Sequence, residues 1–447
     1  MNAKPGRNSY HGQRGLRPSA FAAAGPCDVC LPWLLGTVLF GALGSLTGVM
    51  AQGILAPPPT GFSGLSPELQ TTGTNQPGVL PPMFTPQPPS EPLAQWGPVQ
   101  FRPHLLYRFL YGDGIPAQPG QHLTTAINEI YPGILINLGS HWNLDYTPTL
   151  RFYSNRQFQD TTDQAVTLAG GTVFRDWTFG FSQSYASSSQ PLIETGAQTD
   201  LEVFSTSLSA RYPMNSVLTL DLGASQTFSY VDQTVAGEAL TDSKTWLTQD
   251  WLDYQFAPRI SAGVGVGFGY DNLSVGTDMT FEQLQGRVTW RPGEKLSLLV
   301  SAGVEDLQFV DAHLPDVVEP IFGVTVSYQI FEATALSLAA ARTVNPSFFE
   351  NQITKNTTVA AGLRQRFFEN FYLEVGGGYE FSGYSASASG ADVNREDNGV
   401  FANVKLSTLI WKRITAAAFY VYTENSSSQS RFDVSSSQVG FELGYHF

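Results

Sequence analysis

The chain ends Val439-Gly440-Phe441-Glu442-Leu443-Gly444-Tyr445-His446-Phe447. Large apolar side chains stand at 439, 441, 443, 445 and 447, with small or polar ones between them. A period of two puts successive side chains on opposite faces, so the stretch reads as a β-strand with one greasy and one wet face. Residues 371–381 repeat the pattern, Phe371, Leu373, Val375, Tyr379 and Phe381 alternating with Glu374, Gly376, Gly378 and Glu380. So do residues 260–270, where glycine occupies 263, 265, 267 and 269. That run superficially looks like a dinucleotide-binding fingerprint. Glycine at every second position is instead one face of a strand, and no amphipathic helix follows.

Working outward, the pattern predicts short turns near His141, Asp176, Met214, Pro258, Gly293, Glu332, Asn370 and Lys412. Their spacing of 35 to 44 residues is a two-strand hairpin plus one longer loop. The longer loops, rich in Ser, Gly, Asp and Asn, are expected over 187–200, 231–243, 385–398 and 424–434. Eight turns define sixteen strands. One more at about 99–111 and one at about 435–447 bring the count to eighteen, with sixteen as the alternative. The expected fold class is all-β: a transmembrane antiparallel up-and-down β-barrel, preceded by a disordered proline-rich tail.

A bilayer cannot satisfy free backbone groups, so a spanning sheet must close. About 9–11 residues suffice for each crossing. Aromatics stand beside the short turns: Trp142, Trp177, Tyr212, Phe256, Trp290, Phe331, Phe368, Phe371, Trp411 and, at the end, Phe447. They are expected to form an interfacial girdle. A soluble propeller would bury both faces of its blades and lack the one-sided greasy pattern.

Composition agrees. Charged residues make up 14% of the 447, well below the roughly 25% of an average soluble protein. Aromatics reach 13%, which excludes intrinsic disorder for most of the chain. A net charge of -14 offers no basic footprint for nucleic acid. The two cysteines, Cys27 and Cys30, leave the rest of the chain without a disulfide framework or a cysteine metal site. Cys27-x-x-Cys30 by itself is a weak redox signal, and we read it as part of a leader.

That leader is residues 1–51. Lys4, Arg7, Arg14 and Arg17 precede an apolar run from Leu31 to Met50, which ends Val49-Met50-Ala51. A basic region, an apolar core and small residues at the -3 and -1 positions make a secretory signal peptide. Gly36, Gly41, Gly44, Ser45 and Gly48 interrupt the run and favour cleavage over a transmembrane anchor. Residues 52–98 follow with 12 of the 28 prolines and no periodicity. Proline fixes φ and donates no backbone hydrogen bond, so this stretch is expected to be a disordered periplasmic tether. The barrel occupies 99–447.

Two segments carry a resemblance. The ending Val439-x-Phe441-x-Leu443-x-Tyr445-x-Phe447 resembles the terminal strand recognised by the outer-membrane barrel assembly machinery. Arg102-Pro103-His104-Leu105-Leu106-Tyr107-Arg108-Phe109-Leu110-Tyr111-Gly112-Asp113-Gly114 resembles the opening strand of a family of outer-membrane β-barrel porins, and Tyr146-Thr147-Pro148-Thr149-Leu150-Arg151-Phe152-Tyr153 adds to the likeness. Members of that family often accompany exopolysaccharide export genes. The resemblance implies an integral protein of a Gram-negative outer membrane with both termini periplasmic. It implies an assembly signal at Phe441, Leu443, Tyr445 and Phe447.

Parity picks out the lumen. Small residues dominate the wet face at 205, 207, 209, 263, 265, 267, 323, 325 and 327, leaving room for a channel. Basic residues of the same parity are Arg102, Arg108, Arg151, Arg175, Arg211, Arg287, Arg291, Arg364, Arg366 and Lys405. They form either a constriction that guides anions or acidic sugars, or partners for the inward acids Asp145, Glu305, Glu374, Glu380 and Glu442. The aromatics Tyr153, Trp251, Phe401 and Phe419 share that face and could stack on sugar rings. The histidines fall in no nucleophile or metal pattern, so neither an enzyme nor a cofactor is expected. The expected function is a porin-like conduit for exopolysaccharide or small solutes. The alternative is a non-conducting barrel that anchors an envelope or surface-polymer complex through its tail.

Overall fold

A computed structural model describes residues 92–446, apart from 232–233, 236–237, 311–313, 369, 390–392 and 412. The signal peptide, nearly all of the tether and Phe447 lie outside the described residues. Eighteen antiparallel strands follow one another around a closed wall. They are β1 (Val99–Gln118), β2 (Gln121–Leu138), β3 in two pieces (Trp142–Tyr146 and Thr149–Tyr153), β4 (Thr161–Phe174), β5 (Trp177–Leu192) and β6 (Ala197–Pro213). Next come β7 (Leu218–Val231), β8 (Ser243–Ala257), β9 (Ile260–Leu273), β10 (Met279–Trp290), β11 (Leu296–Phe309) and β12 (Val317–Phe331). The circuit ends with β13 (Thr334–Pro346), β14 (Gln352–Phe367), β15 (Phe371–Ala386), β16 (Arg395–Trp411), β17 (Ile414–Ser427) and β18 (Val434–His446). Each strand pairs with the next, and β18 pairs with β1 through Leu105↔Tyr445, Tyr107↔Leu443 and Phe109↔Phe441. The expected barrel of eighteen strands is therefore closed by its terminal strand.

The eight expected short turns all connect strands at one end of the barrel. Limits at the other end differ. β1 runs to Gln118, beyond the expected end near 111, and turns at once into β2. The loop expected over 187–200 is a four-residue tip between Leu192 and Ala197, because the polar run Ser187–Gln190 still pairs across to Thr199–Glu202. A serine-rich run reads as loop in isolation but pairs as strand when its partner is extended. The break in β3 falls at Thr147-Pro148, since proline lacks the N–H that a ladder needs. Residues Ala94–Trp96, within the expected tether, form a short strand against Val99–Phe101.

Alternation supplies the two faces. On β9, Val264, Val266, Phe268 and Tyr270 are exposed while Gly263, Gly265 and Gly267 are buried. On β18, Val439, Phe441 and Leu443 are exposed while Gln438, Gly440 and Glu442 are buried. Large apolar side chains dominate the exposed set around the wall, so the outer surface is greasy, with exposed acids such as Glu202, Glu282 and Glu396 near the long-loop end. Trp142, Phe256, Trp290, Phe331, Phe368, Phe371 and Trp411 are exposed at the short-turn end, and Trp177 stacks on Tyr212 with ring centres 4.7 Å apart. No described helix is long and apolar enough to cross a membrane, and the crossing elements are strands. Sealed ladder, greasy outside and aromatic girdle together define a transmembrane β-barrel.

Candidate functional site: a charged belt, a hydroxyl panel and a loop plug

Opposite charges alternate around nearly half of the inner wall. Arg151 on β3 donates from Nε to Glu129 on β2 at 2.6 Å and from Nη1 to Asp163 on β4 at 2.6 Å. Arg108 on β1 lies 3.7 Å from Glu129 and 3.5 Å from Glu442 on β18. Lys405 on β16 pairs with Glu442. Glu374 on β15 stands opposite Lys405 in register and accepts an ion pair from Arg364 on β14 at 3.6 Å. Register explains the belt: Arg151, Glu129, Arg108 and Glu442 are direct cross-strand neighbours, each facing the opposite sign. All of these basic side chains are buried.

A second network joins Arg287 on β10 to Asp253 on β8 and, at 2.5 Å, to Asp221 on β7. The intervening residue is Gly263, directly opposite Arg287, where a Cβ would lie 2.1 Å from the Asp253 carboxylate. Only glycine leaves that path open. Arg211 approaches the same Asp221 at 3.4 Å but is largely exposed.

The sequence-picked bases thus divide. Arg108, Arg151, Arg287, Arg364 and Lys405 cross-link strands through acids. Arg102 donates to Gln100. Arg175 and Arg291 fall in short turns, so parity does not aim them into the lumen; Arg175 has a positive φ of 54°. Arg366 is exposed where β14 ends. Among the two readings of these residues, the geometry of these five, four buried and Arg287 partly so, fits wall-stabilising pairs.

The wet-face aromatics are also committed. Three of the four pack against a glycine directly across the ladder: Trp251 on Gly265, Phe401 on Gly378, Phe419 on Gly440. A Cβ at any of these glycines would stand 2.5 Å from the ring. This arrangement keeps bulky rings against the wall and gives the glycine alternation a function. Guanidinium groups cover two of the rings, Arg108 over Phe419 at 4.6 Å and Arg287 over Trp251 at 4.5 Å. Tyr153 stacks on Phe158 at 5.0 Å.

Away from the belt, β5, β6 and β7 present a panel of hydroxyls. Ser182 pairs with Ser207, Ser184 with Ser205, and these with Ser225 and Thr227 on the next strand. The panel is neutral and polar.

At the long-loop end, connections from distant strands meet one another. Leu192 and Ala197 flanking the β5–β6 tip, Leu201 and Val203 on β6, Leu240 before β8, Phe348 and Phe349 after β13, and Phe432 before β18 belong to one buried apolar cluster. Glu194, at the tip, accepts from Ser347 Oγ at 2.6 Å and from the Phe348 N–H at 3.0 Å. Arg395 donates to the Glu194 carbonyl at 2.9 Å, pairs with Asp397, and lies 3.6 Å over Phe432. Burial pushes the Glu194 carboxyl up, against the opposing pull of Ser347, Arg395 and the Phe348 N–H. Sequence reasoning missed this plug. Its signal was apolar residues in connections, Phe348-Phe349 and Phe432, where hydrophilic loops are ordinary.

Among the described residues no group of three or more His, Cys, Asp or Glu is placed to hold a metal ion.

The class is therefore an eighteen-strand transmembrane barrel with a braced wall and a loop-built plug. No family model and no curated protein matches the chain. Solved structures similar to it include Pseudomonas aeruginosa OpdL, at 14% identity and a TM-score of 0.42 over 78% of this chain and 98% of that one. Pseudomonas aeruginosa OccK2 (OpdF), solved in complex with glucuronate, is similar at 10% identity and 0.42 over 78% and 98%. Acinetobacter baumannii OccAB3 is similar at 8% identity and 0.39 over 78% and 99%. The fold assignment rests on the strand pairing and the two faces described above, not on these likenesses.

Proposed function

We propose that the protein is a porin-like channel of a Gram-negative outer membrane, passing small polar solutes or segments of exopolysaccharide. The observation that carries this reading is the inner face. A wall of eighteen strands is wider than its side chains can fill, and here it is polar, with three of its aromatics packed against glycines of the wall. The charges on the belt compensate one another, so the lumen is suited to neutral hydroxylated solutes as well as ions, and the serine panel offers them hydrogen bonds. Outer-membrane lipid covers the apolar face. Both termini are read as periplasmic, with the tether free to meet a partner there. Phe441, Leu443 and Tyr445 point outward on the closing strand and suit a contact with the assembly machinery; the same role is proposed for Phe447. No catalytic role is proposed.

Single-channel recording of the whole barrel in a planar bilayer tests this. Stable conductance steps with weak ion selectivity are expected. A folded barrel that stays silent under every condition refutes the channel. The plug gives the second reading substance: a barrel held shut would serve as an anchor for a surface-polymer complex.

A further inference from the structure

The loop 347–351 between β13 and β14 touches five other connections. Its Ser347 and Phe348 hold Glu194 on the β5–β6 tip. The Thr241 N–H donates to Phe348 O at 2.8 Å, and Leu240 and Phe349 form an isolated antiparallel bridge. The Ser387 N–H donates to Asn351 O at 2.9 Å, and Phe349 meets Phe432 edge-on at 5.8 Å. Gly276, in the β9–β10 connection, is close enough that a Cβ there would lie 3.2 Å from the Asn351 nitrogen.

The wall beside this loop is unzipped. Pairing between β12 and β13 stops at Phe322↔Arg342, although β12 reaches back to Val317 and β13 on to Pro346. Pro320 and Pro346 both lie in the stretch left unpaired between β12 and β13, while each stays in register on its other side, with Val304 and Ile353. In place of the ladder, Glu319 on β12 accepts from Arg342 on β13 at 3.0 Å and from Lys355 on β14 at 2.6 Å. The end of β13 has left its neighbour so that the loop can reach the lumen.

We propose that the 347–351 loop is a movable gate, which closes the lumen by docking on the β5–β6 tip and opens it by withdrawing on the β13–β14 hairpin. The inference rests on the channel reading. Three features suit a gate better than a fixed stopper. The loop is carried by strands freed from the wall on one side. It is clasped by the Glu194 carboxylate, whose Oε2 is buried without a hydrogen-bond partner. Its remaining hold is a small apolar cluster and a few backbone bonds. A buried acceptor left unmade weakens the closed state.

The test is a disulfide across the bridge, L240C/F349C in the whole chain. Antiparallel bridge partners stand about 4.5–5.5 Å apart at Cα, within disulfide range. Folding is checked by heat-modifiable migration of the barrel. Oxidised channels should show open probability at least tenfold below reduced ones, with reductant restoring the current. Glu194→Ala, without new cysteines, should raise open probability roughly tenfold, because the Ser347 hydroxyl and the Phe348 N–H lose their acceptor in the closed arrangement. Equal currents with the bridge formed and reduced, from a conducting barrel, would overturn the gate and leave the channel standing. Silence from wild type, reduced double variant and Glu194→Ala alike would overturn the channel, and the gate with it.

Discussion

Replacing Arg151 by methionine is the sharpest test of the belt. Methionine keeps most of the stem's volume and removes the charge. Arg151 is 3% exposed and makes two ion pairs at 2.6 Å, to Glu129 and Asp163. Removal leaves Glu129 with Arg108 at 3.7 Å and with the hydroxyl of Tyr131 at 2.6 Å, while Asp163 loses its salt bridge. Removing one partner of a buried pair costs about 3–5 kcal/mol, chiefly because the remaining charge stays desolvated. The unfolding constant should therefore rise roughly a thousandfold, at about 1.4 kcal/mol per tenfold. Reversible urea unfolding of the barrel in lipid vesicles measures it. Arg211→Met is the internal control. Arg211 also faces an acid, Asp221, but at 3.4 Å and with 61% of its side chain exposed. Water screens that pair, and its loss should cost less than about 1 kcal/mol. If Arg151→Met loses no more than Arg211→Met, the belt does not brace the wall. An Arg151→Met/Asp163→Asn variant should recover part of the loss, since one of the two orphaned carboxylates is then neutral; no recovery would point to packing instead.

Gly265→Val should push the Trp251 ring off the wall, cost about 1–3 kcal/mol by overpacking, and reduce single-channel conductance; unchanged conductance would show that the ring does not border the open path. Arg287→Glu places a third acid beside Asp221 and Asp253, and should lower urea resistance in a salt-dependent way that Arg291→Glu, in a turn, does not reproduce. The Glu194 carboxyl is raised in the closed plug, so the closed state binds its proton more readily than the open one. Its contribution to closure is then full in acid and lost as pH rises through the raised value, so open probability should climb with pH. The groups that set this response are Ser347 and the Phe348 N–H, with Arg395, Asp397, Glu380 and Tyr384 around them. Glu194→Gln should flatten the pH profile, and a profile identical to wild type would assign the dependence elsewhere. Phe441→Ala removes the ring stacked on Phe109 at 5.5 Å on the closing strands and should lower the fraction of chains inserted, scored by heat-modifiability.

The residues that were legible in advance are those whose role is local. Val439, Phe441 and Leu443 announce a strand because side-chain direction alternates within the strand itself, whatever it packs against. The eight short turns could be placed because a chain that must cross a fixed thickness and return has to turn at regular intervals. Greasy exteriors follow from the same alternation. Arg108 and Arg151 could be assigned to the inner face by parity, but not to partners, since the belt depends on which residue stands opposite which, and a slip of one residue would reverse every face. Parity also failed at Arg175 and Arg291, where the chain has left the strand and alternation no longer holds. The plug lay further out of reach. Glu194 meets Ser347 across 153 positions and Arg395 meets Glu194 across 201. No local rule joins such residues. Sequence alone determined a closed wall of sixteen to eighteen strands with a wet inside, because strand pattern and membrane solvation are properties of segments. Tertiary structure alone decided that the wall is braced by paired charges and that the loops meet at one end. Both depend on strands far apart in the chain being brought face to face when the barrel closes.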